Sequence, residues 1–306
     1  MTVSTDAAVD HRRPRLDGVA VASLLLCCIL WGLNQVAAKV ALAEIAPLTQ
    51  AAARSLGAAL LVLAWARWRG IKLTARDGTL RGGLLAGVLF AVEFACIFVG
   101  LQFTSASRMA VFIYLSPFVV ALGMPFIARG ERLMPIQWVG LVAAFAGVAW
   151  AFAEGFAPSG AAGPRQWLGD ALGVAAALFW GATTLVIRAT ALANAPAEKT
   201  LLYQLLISGL LLALGAWSAG EVWPAQLGAL SLSSLAFQTV IVSFASYLLW
   251  FWLVRHYPAT RLASFTLLTP VAGLAAGVAL LGEPLTIRLG IAVAAVVLGI
   301  TLVSRR

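Results

Sequence analysis

The chain has 306 residues, of which 62% are hydrophobic and 11% charged, and its formal net charge is +9. A soluble domain carries about 25% charged residues, so this deficit excludes an ordinary soluble protein and places the chain in a bilayer. The excess of Lys and Arg reads as basic residues collected at cytoplasmic helix ends near anionic headgroups, not as a nucleic-acid footprint.

Long apolar runs, rather than segments of about 10 alternating residues, choose helices over a barrel. The predicted elements begin with a tail, residues 1–17, that mixes acids and bases and runs into a full-length span, which is not the pattern of a cleavable signal. Five spans follow, at Val19–Ala41, Thr49–Trp68, Leu80–Phe103, Ser107–Ala128 and Ile136–Phe152. A Gly/Pro-rich stretch, Gly155 to Pro164, then acts as a flexible linker within residues 155–166. Five more spans are predicted at Leu168–Leu192, Lys199–Ala219, Ser234–Arg255, Ala259–Leu281 and Ile287–Ser304. The expected fold is therefore all-α and integral to the membrane, with repeats at 18–154 and 167–306.

The two sets of spans are copies. Trp31-Gly32 followed by Lys39 returns 149 residues later as Trp180-Gly181 followed by Arg188. Arg108 followed by Ser116-Pro117 returns 153 residues later as Arg261 followed by Thr269-Pro270. Five spans is an odd number, so the second copy enters the bilayer upside down. Inverted repeats of this kind build secondary transporters.

Orientation follows from Lys and Arg at the span ends. Sixteen fall on one side, including Arg12, Arg13, Arg15, Arg67, Arg69, Lys72, Arg129, Arg132, Arg305 and Arg306. Four fall on the other, Lys39, Arg108, Arg165 and Arg288. Both termini are expected to face the cytoplasm. Lys39 and Arg188 end their spans and are expected to snorkel to headgroups, and Arg54 to do the same or to pair with Glu44. Arg108 begins a helix, where a cation opposes the dipole, and requires compensation from lipid phosphate or loop carbonyls.

Candidate site residues come from the interruptions in the apolar runs. Trp31 and Asn34 share a helical face, as do Trp180 and Thr183. Gly32 and Gly181 let a neighbouring helix or a ligand approach the backbone. Trp31 and Trp180 lie about a dozen residues into their spans, too deep for interfacial anchors, and serve either packing or cavity lining. Pro117 and Pro270 remove amides that would bond the carbonyls of Ile113 and Thr266, so a kink is expected in each span, as a hinge, a cavity wall or a plain bend. Glu93 lies in the middle of its span, where a carboxylate costs several kcal/mol. It binds a substrate ammonium, carries a coupling proton, or is a hydrogen-bonded structural acid. Its counterpart 153 residues on is Ser246. Cys27, Cys28 and Cys96 read as small packing residues. Gly83 and Gly87, Gly169 and Gly173, and Gly273 and Gly277 read as close helix contacts.

The Trp-Gly segment of each half, Ser107-Arg108 to Pro117 with Glu131, and Thr260-Arg261 to Pro270 with Glu283, resemble the EamA type of the drug/metabolite transporter superfamily over nearly the whole chain. Within it the chain looks most like the YddG-type amino-acid exporters. The resemblance implies ten spans as five-plus-five inverted repeats and a central cavity near Trp31, Asn34, Glu93, Tyr114, Trp180, Thr183, Ser246 and Tyr247. It implies a monomeric carrier in a bacterial inner membrane, whose partners are a small-molecule substrate and lipid, with no cofactor or metal. A sugar-phosphate, nucleotide-sugar or drug carrier is the alternative, and the apparent placement of basic residues at helix ends counts against bound phosphate. A channel or an intramembrane enzyme is the alternative of another class; no HExxH, aspartate-rich or GxSxG motif occurs.

Overall fold

The computed structural model describes residues 17–127, 134–154, 163–257, 266 and 268–303. Arg12, Arg13, Arg15, Arg129, Glu131, Arg132, the linker residues 155–162, Thr260, Arg261, Arg305 and Arg306 lie outside the described residues. Every regular element among the described residues is helical. Helices α1 (Gly18–Ala41), α2 (Pro47–Trp68) and α3 (Thr79–Gly100) have 22 to 24 residues. At 1.5 Å per residue they are roughly 33–36 Å long, enough for a hydrocarbon core of about 30 Å.

The predicted fourth span is broken. Helix α4 (Ala106–Ile113) ends one turn before Pro117, and α5 (Ser116–Ile127) restarts around it. The Pro117 amide cannot bond the Ile113 carbonyl, so the chain tightens into three-residue turns, with Tyr114 N donating to Val111 O (3.2 Å) and Leu115 N to Phe112 O (3.1 Å). Pro117 then occupies the first turn of α5, where no amide is required.

Helices α6 (Pro135–Glu154), α7 (Gln166–Ala189) and α8 (Ala197–Ser218) follow. The predicted eighth span begins earlier than expected and is not uniform. It runs as α9 (Ala229–Ala236), a ten-residue π-helix (Phe237–Ser246) and α10 (Tyr247–His256). Helices α11 (Leu268–Leu281) and α12 (Ile287–Val303) complete the chain. Pro270 lies in the first described turn of α11, and residues 258–265 and 267, where its kink is expected, lie outside the described residues. Among the described residues seven helices are long and apolar enough to cross a membrane, taking Ala106–Ile127 and Ala229–Leu253 each as one, and three shorter apolar helices cover Pro135–Ala151, Leu268–Leu281 and Ile287–Leu302.

Helix α3 packs on α7 and α8, α1 on α9, the π-helix and α11, α2 on α8 and the π-helix, α5 on α7, α4 on α7 and α11, and α6 on α12. Glycines set the closest approaches. A Cβ on Gly32 would lie 2.6 Å from the amide nitrogen of Gly273, and one on Gly181 would lie 2.5 Å from Val119 Cβ and 3.2 Å from the Ser116 carbonyl oxygen. The glycine of each Trp-Gly pair therefore admits a helix, α11 for Gly32 and α5 for Gly181, rather than a ligand.

Acids and bases tie the helix ends together and revise three expectations. Lys39 does not snorkel to lipid: its Nζ donates to the carbonyls of Leu101 and Thr104, capping the end of α3. Arg108 is compensated by a carboxylate, not by lipid or loop carbonyls alone. Its Nε lies 3.0 and 3.1 Å from the two oxygens of Asp170, and its Nη2 lies 2.5 Å from Asp170 Oδ2 and 2.6 Å from Ala151 O. Arg54 neither snorkels nor meets Glu44; its side chain turns inward and is 1% exposed. Glu44 instead accepts from the Gly228 amide at 2.7 Å, at the start of α9.

Carboxylates cap other helix starts. Gly282 takes a left-handed φ of 63°, and the turn after it delivers Glu283 to the amides of Ala106 (2.7 Å) and Ser107 (2.9 Å) at the start of α4. Glu221, just past α8, accepts from the amides of Leu48 (3.2 Å) and Thr49 (2.7 Å) at the start of α2. At the opposite ends, Lys199 at the start of α8 pairs with Asp77 beyond α2 at 2.9 Å. These two ties run α2 and α8 antiparallel.

Candidate functional site

A single depth of the bundle collects the polar groups. Asn34 lies seven residues before the end of α1, Arg54 seven after the start of α2, and Glu93 seven before the end of α3. These three ends lie together, because the loops between them are short or tied by Lys39. All three residues therefore sit about 10 Å inside the same end of the bundle.

Around them runs a buried polar seam between α1, α2, α3 and the π-helix. Gln50 Nε2 donates to Ala38 O (3.2 Å) and Gln238 Oε1 (3.3 Å). Arg54 donates through Nε (2.9 Å) and Nη2 (2.6 Å) to Ser243 Oγ, and its guanidinium carbon sits 4.2 Å from the centroid of the Phe94 ring. A cation–π contact of this desolvated kind contributes about 2 kcal/mol, against several kcal/mol for removing the ion from water. The seam is thus incompletely compensated, and its hydrogen bonding shows it. Arg54 Nη1, Glu93 Oε2, Asn34 Oδ1, Gln35 Oε1, Gln50 Oε1 and Gln238 Nε2 are buried without a hydrogen-bond partner. Most buried polar side-chain atoms are paired, so a cluster of open ones calls for water or a ligand.

Most of the residues singled out from sequence meet this seam or adjoin it. Trp31 Nε1 donates to Ser246 Oγ at 2.9 Å, and Ser246 in turn donates to Val242 O at 2.6 Å. The Trp31 ring meets Tyr247 edge-on at 6.4 Å between centroids and Trp250 at 5.4 Å. Tyr247 lies within electrostatic reach of both Arg54 and Glu93, which joins this aromatic group to the charged one. Tyr114, at the α4–α5 break, meets Trp180 edge-on at 5.5 Å and neighbours Tyr247, Cys28 and Thr269. Tyr114 caps α4 at this break and is buried. Thr183 is buried and donates to Phe179 O at 2.9 Å, so its proton is engaged within its own helix.

The sequence reading missed Arg54, Gln50, Gln238 and Ser243. The rule that singled out Glu93, an ionisable residue well inside an apolar run, applies equally to Arg54; its position one to two turns from a helix end hid it among residues able to reach headgroups. The π-helix that aims Ser243 at α2 left no comparable mark. Apart from the seam, an apolar cleft of about 380 Å³ is lined by Leu115, Phe145, Val148, Ala149, Ala171 and Val174, and none of the polar candidates borders it.

A profile of the EamA-like transporter family matches residues 18–153 and 167–305. The chain belongs to the EamA-like transporter family. It is 28% identical to the uncharacterized transporter YvbV of Bacillus subtilis over 286 residues, covering 92% of this chain and 90% of that one. It is 29% identical to an uncharacterized transporter of Synechocystis over 312 residues, covering 93% and 89%. A solved crystal structure, 21% identical, shares the fold with a TM-score of 0.64 over 93% of this chain and 97% of its own. The family and the apolar helices make this EamA member a multi-pass membrane protein of a transporter family, which points to a small-molecule substrate and away from catalysis.

Proposed function

We propose that the chain is a ten-span carrier of two inverted five-helix halves, 18–154 and 167–306, that exports amino acids or related small metabolites by alternating access. The packing supports the inversion. The α1–α11 contact has its counterpart in α7–α5, and the α3–α8 contact in the packing of the π-helix on α2. The equivalent helices α2 and α8 run antiparallel. The Lys and Arg bias supports cytoplasmic termini in a bacterial inner membrane. A monomer suffices, since the seam and both aromatic groups lie within one chain.

The observation that carries the reading is the convergence of aromatic walls, Trp31, Tyr114, Trp180 and Tyr247, on buried polar groups that lack partners. Apolar walls with a few polar anchors suit a small zwitterion. Buried Arg54 also favours a second reading, a phosphorylated solute, because the basic residues are not all at helix ends as the sequence suggested.

An exchange screen in proteoliposomes decides between them, using the free amino acids with a drug and a nucleotide sugar as controls. Saturable counterflow of one or more amino acids is expected. Exchange of the nucleotide sugar alone would transfer the assignment to phosphorylated solutes, and flux that does not saturate would make the protein a channel. If Glu93→Gln leaves pH-dependent flux unchanged, Glu93 carries no coupling proton.

A further inference from the structure

Arg54 and Glu93 are the two charges of the buried seam, and each has a side-chain atom without a hydrogen-bond partner. Both side chains are buried, at 1% and 4% exposure. Arg54 spends Nε and Nη2 on Ser243 and has the Tyr247 side chain beside it as a second polar neighbour, while its Nη1 and Glu93 Oε2 make no hydrogen bond. They lie at one depth on adjacent helices and within electrostatic reach of each other, yet no ion pair joins them. Two opposite charges that could neutralise one another by direct contact are instead held apart, each presenting an unpartnered atom. An arrangement of that kind is complementary to a ligand that carries both signs.

The surroundings point the same way. Ser243, which holds the guanidinium, belongs to the π-helix, an uncommon conformation that turns up at functional sites. Phe94 lies under the guanidinium plane and fixes its orientation. The positions in the second half that match Arg54 and Glu93 are Tyr203 and Ser246, both uncharged. The charge pair therefore breaks the internal repeat.

Building on the amino-acid reading above, we infer that Arg54 and Glu93 form the charge-recognition site of the carrier. Arg54 Nη1 receives the substrate carboxylate, Glu93 Oε2 receives the substrate ammonium, and the rings of Tyr247 and Trp31, which pack edge-on beside them, meet the side chain. The class of ligand is an α-amino acid with an uncharged, preferably aromatic or large apolar, side chain. A mono-charged amine or carboxylate satisfies half of the site and leaves the other charge buried and unpaired.

The test uses the full-length protein in proteoliposomes and three probes of one shape: L-phenylalanine, phenethylamine, which lacks the carboxylate, and 3-phenylpropionate, which lacks the ammonium. Each is read as its apparent affinity in competition against labelled L-phenylalanine counterflow, and independently as a thermal shift of the detergent-solubilised protein. In the wild type, L-phenylalanine is expected to bind at least tenfold tighter than either analogue. Arg54→Gln should weaken L-phenylalanine and 3-phenylpropionate ten- to hundredfold and leave phenethylamine within about twofold, and Glu93→Gln should weaken L-phenylalanine and phenethylamine and spare 3-phenylpropionate. Arg54→Lys, which keeps the charge, should lose less than Arg54→Gln.

Equal affinity for all three probes in the wild type overturns the site without recourse to any variant, so a variant that fails to fold does not protect it. Equal weakening of all three by either variant also overturns it, while leaving the carrier reading intact. Absence of counterflow for every amino acid removes the amino-acid reading itself, and the site with it.

Discussion

Removing the Asp170 carboxylate tests how the bundle tolerates a buried charge where the start of α4 meets α7. Arg108 and Asp170 are 4% and 0% exposed, and three of their contacts are 3.1 Å or shorter. Asp170 also accepts from Thr104 Oγ1 at 2.6 Å, so its loss strands a hydroxyl together with the guanidinium. Breaking a buried pair by deleting one partner costs about 3–5 kcal/mol, because the survivor keeps its desolvation cost without its compensation. The bond from Arg108 to the Ala151 carbonyl remains and holds the loss toward the lower figure. At about 2–4 °C per kcal/mol for a chain of this size class, Asp170→Ala should lower the unfolding midpoint in detergent by roughly 6–20 °C. Replacing both partners with apolar residues, Arg108→Met with Asp170→Leu, should recover more than half of that loss, since no charge is then left behind. Thermal unfolding of the purified wild type and the two variants measures both. A single variant within about 2 °C of wild type, or a double variant no better than the single, would refute the reasoning, because the pair would then not be a desolvated interaction.

Gly32→Val should abolish monodisperse expression, because its Cβ meets the Gly273 backbone at 2.6 Å and overpacking against backbone costs about 1–3 kcal/mol or more; Gly290→Ala, where nothing lies within 4 Å, should be neutral or slightly stabilising in the same fluorescence-detected size-exclusion assay. The Lys199 ammonium and the Thr79 hydroxyl hold the Asp77 carboxyl down at about 2, from an ordinary 3.8. A depressed carboxyl contributes its stabilisation above the unfolded value and loses it as pH falls toward the folded one. The difference in unfolding midpoint between wild type and Asp77→Asn should therefore be constant above about pH 5 and shrink to a small fraction by about pH 2; a difference undiminished at pH 2 would show that the pair is not its source. Ser246→Ala removes the acceptor of Trp31 Nε1 and should cost about 1–3 kcal/mol, most of which Trp31→Phe should restore in a double-mutant cycle on thermal stability; additive losses would sever the two residues.

Composition and apolar run length determined the medium and the all-helical class, because a bilayer leaves the backbone no partner but its own helix. The Trp-Gly and Ser/Thr-Pro repeats marked the family and the fourth-span interruption, since proline withdraws one particular hydrogen bond wherever it stands. Trp31, Glu93 and Trp180 were legible as interruptions of apolar runs, Ser246 as the repeat counterpart of Glu93, and Tyr114 and Tyr247 only through the family resemblance. Their partners were not. Arg54 reads from sequence as one more basic residue near a helix end, and only the packing of α2 against α3 and the π-helix turns it inward onto Phe94 and Ser243. Lys39 likewise finds the end of α3, and Arg108 finds Asp170, across dozens of residues. A helical span reveals from its own sequence which face is apolar, but the neighbour that meets its few polar groups is chosen by the arrangement of all the helices together, and a buried charge takes its role from that neighbour.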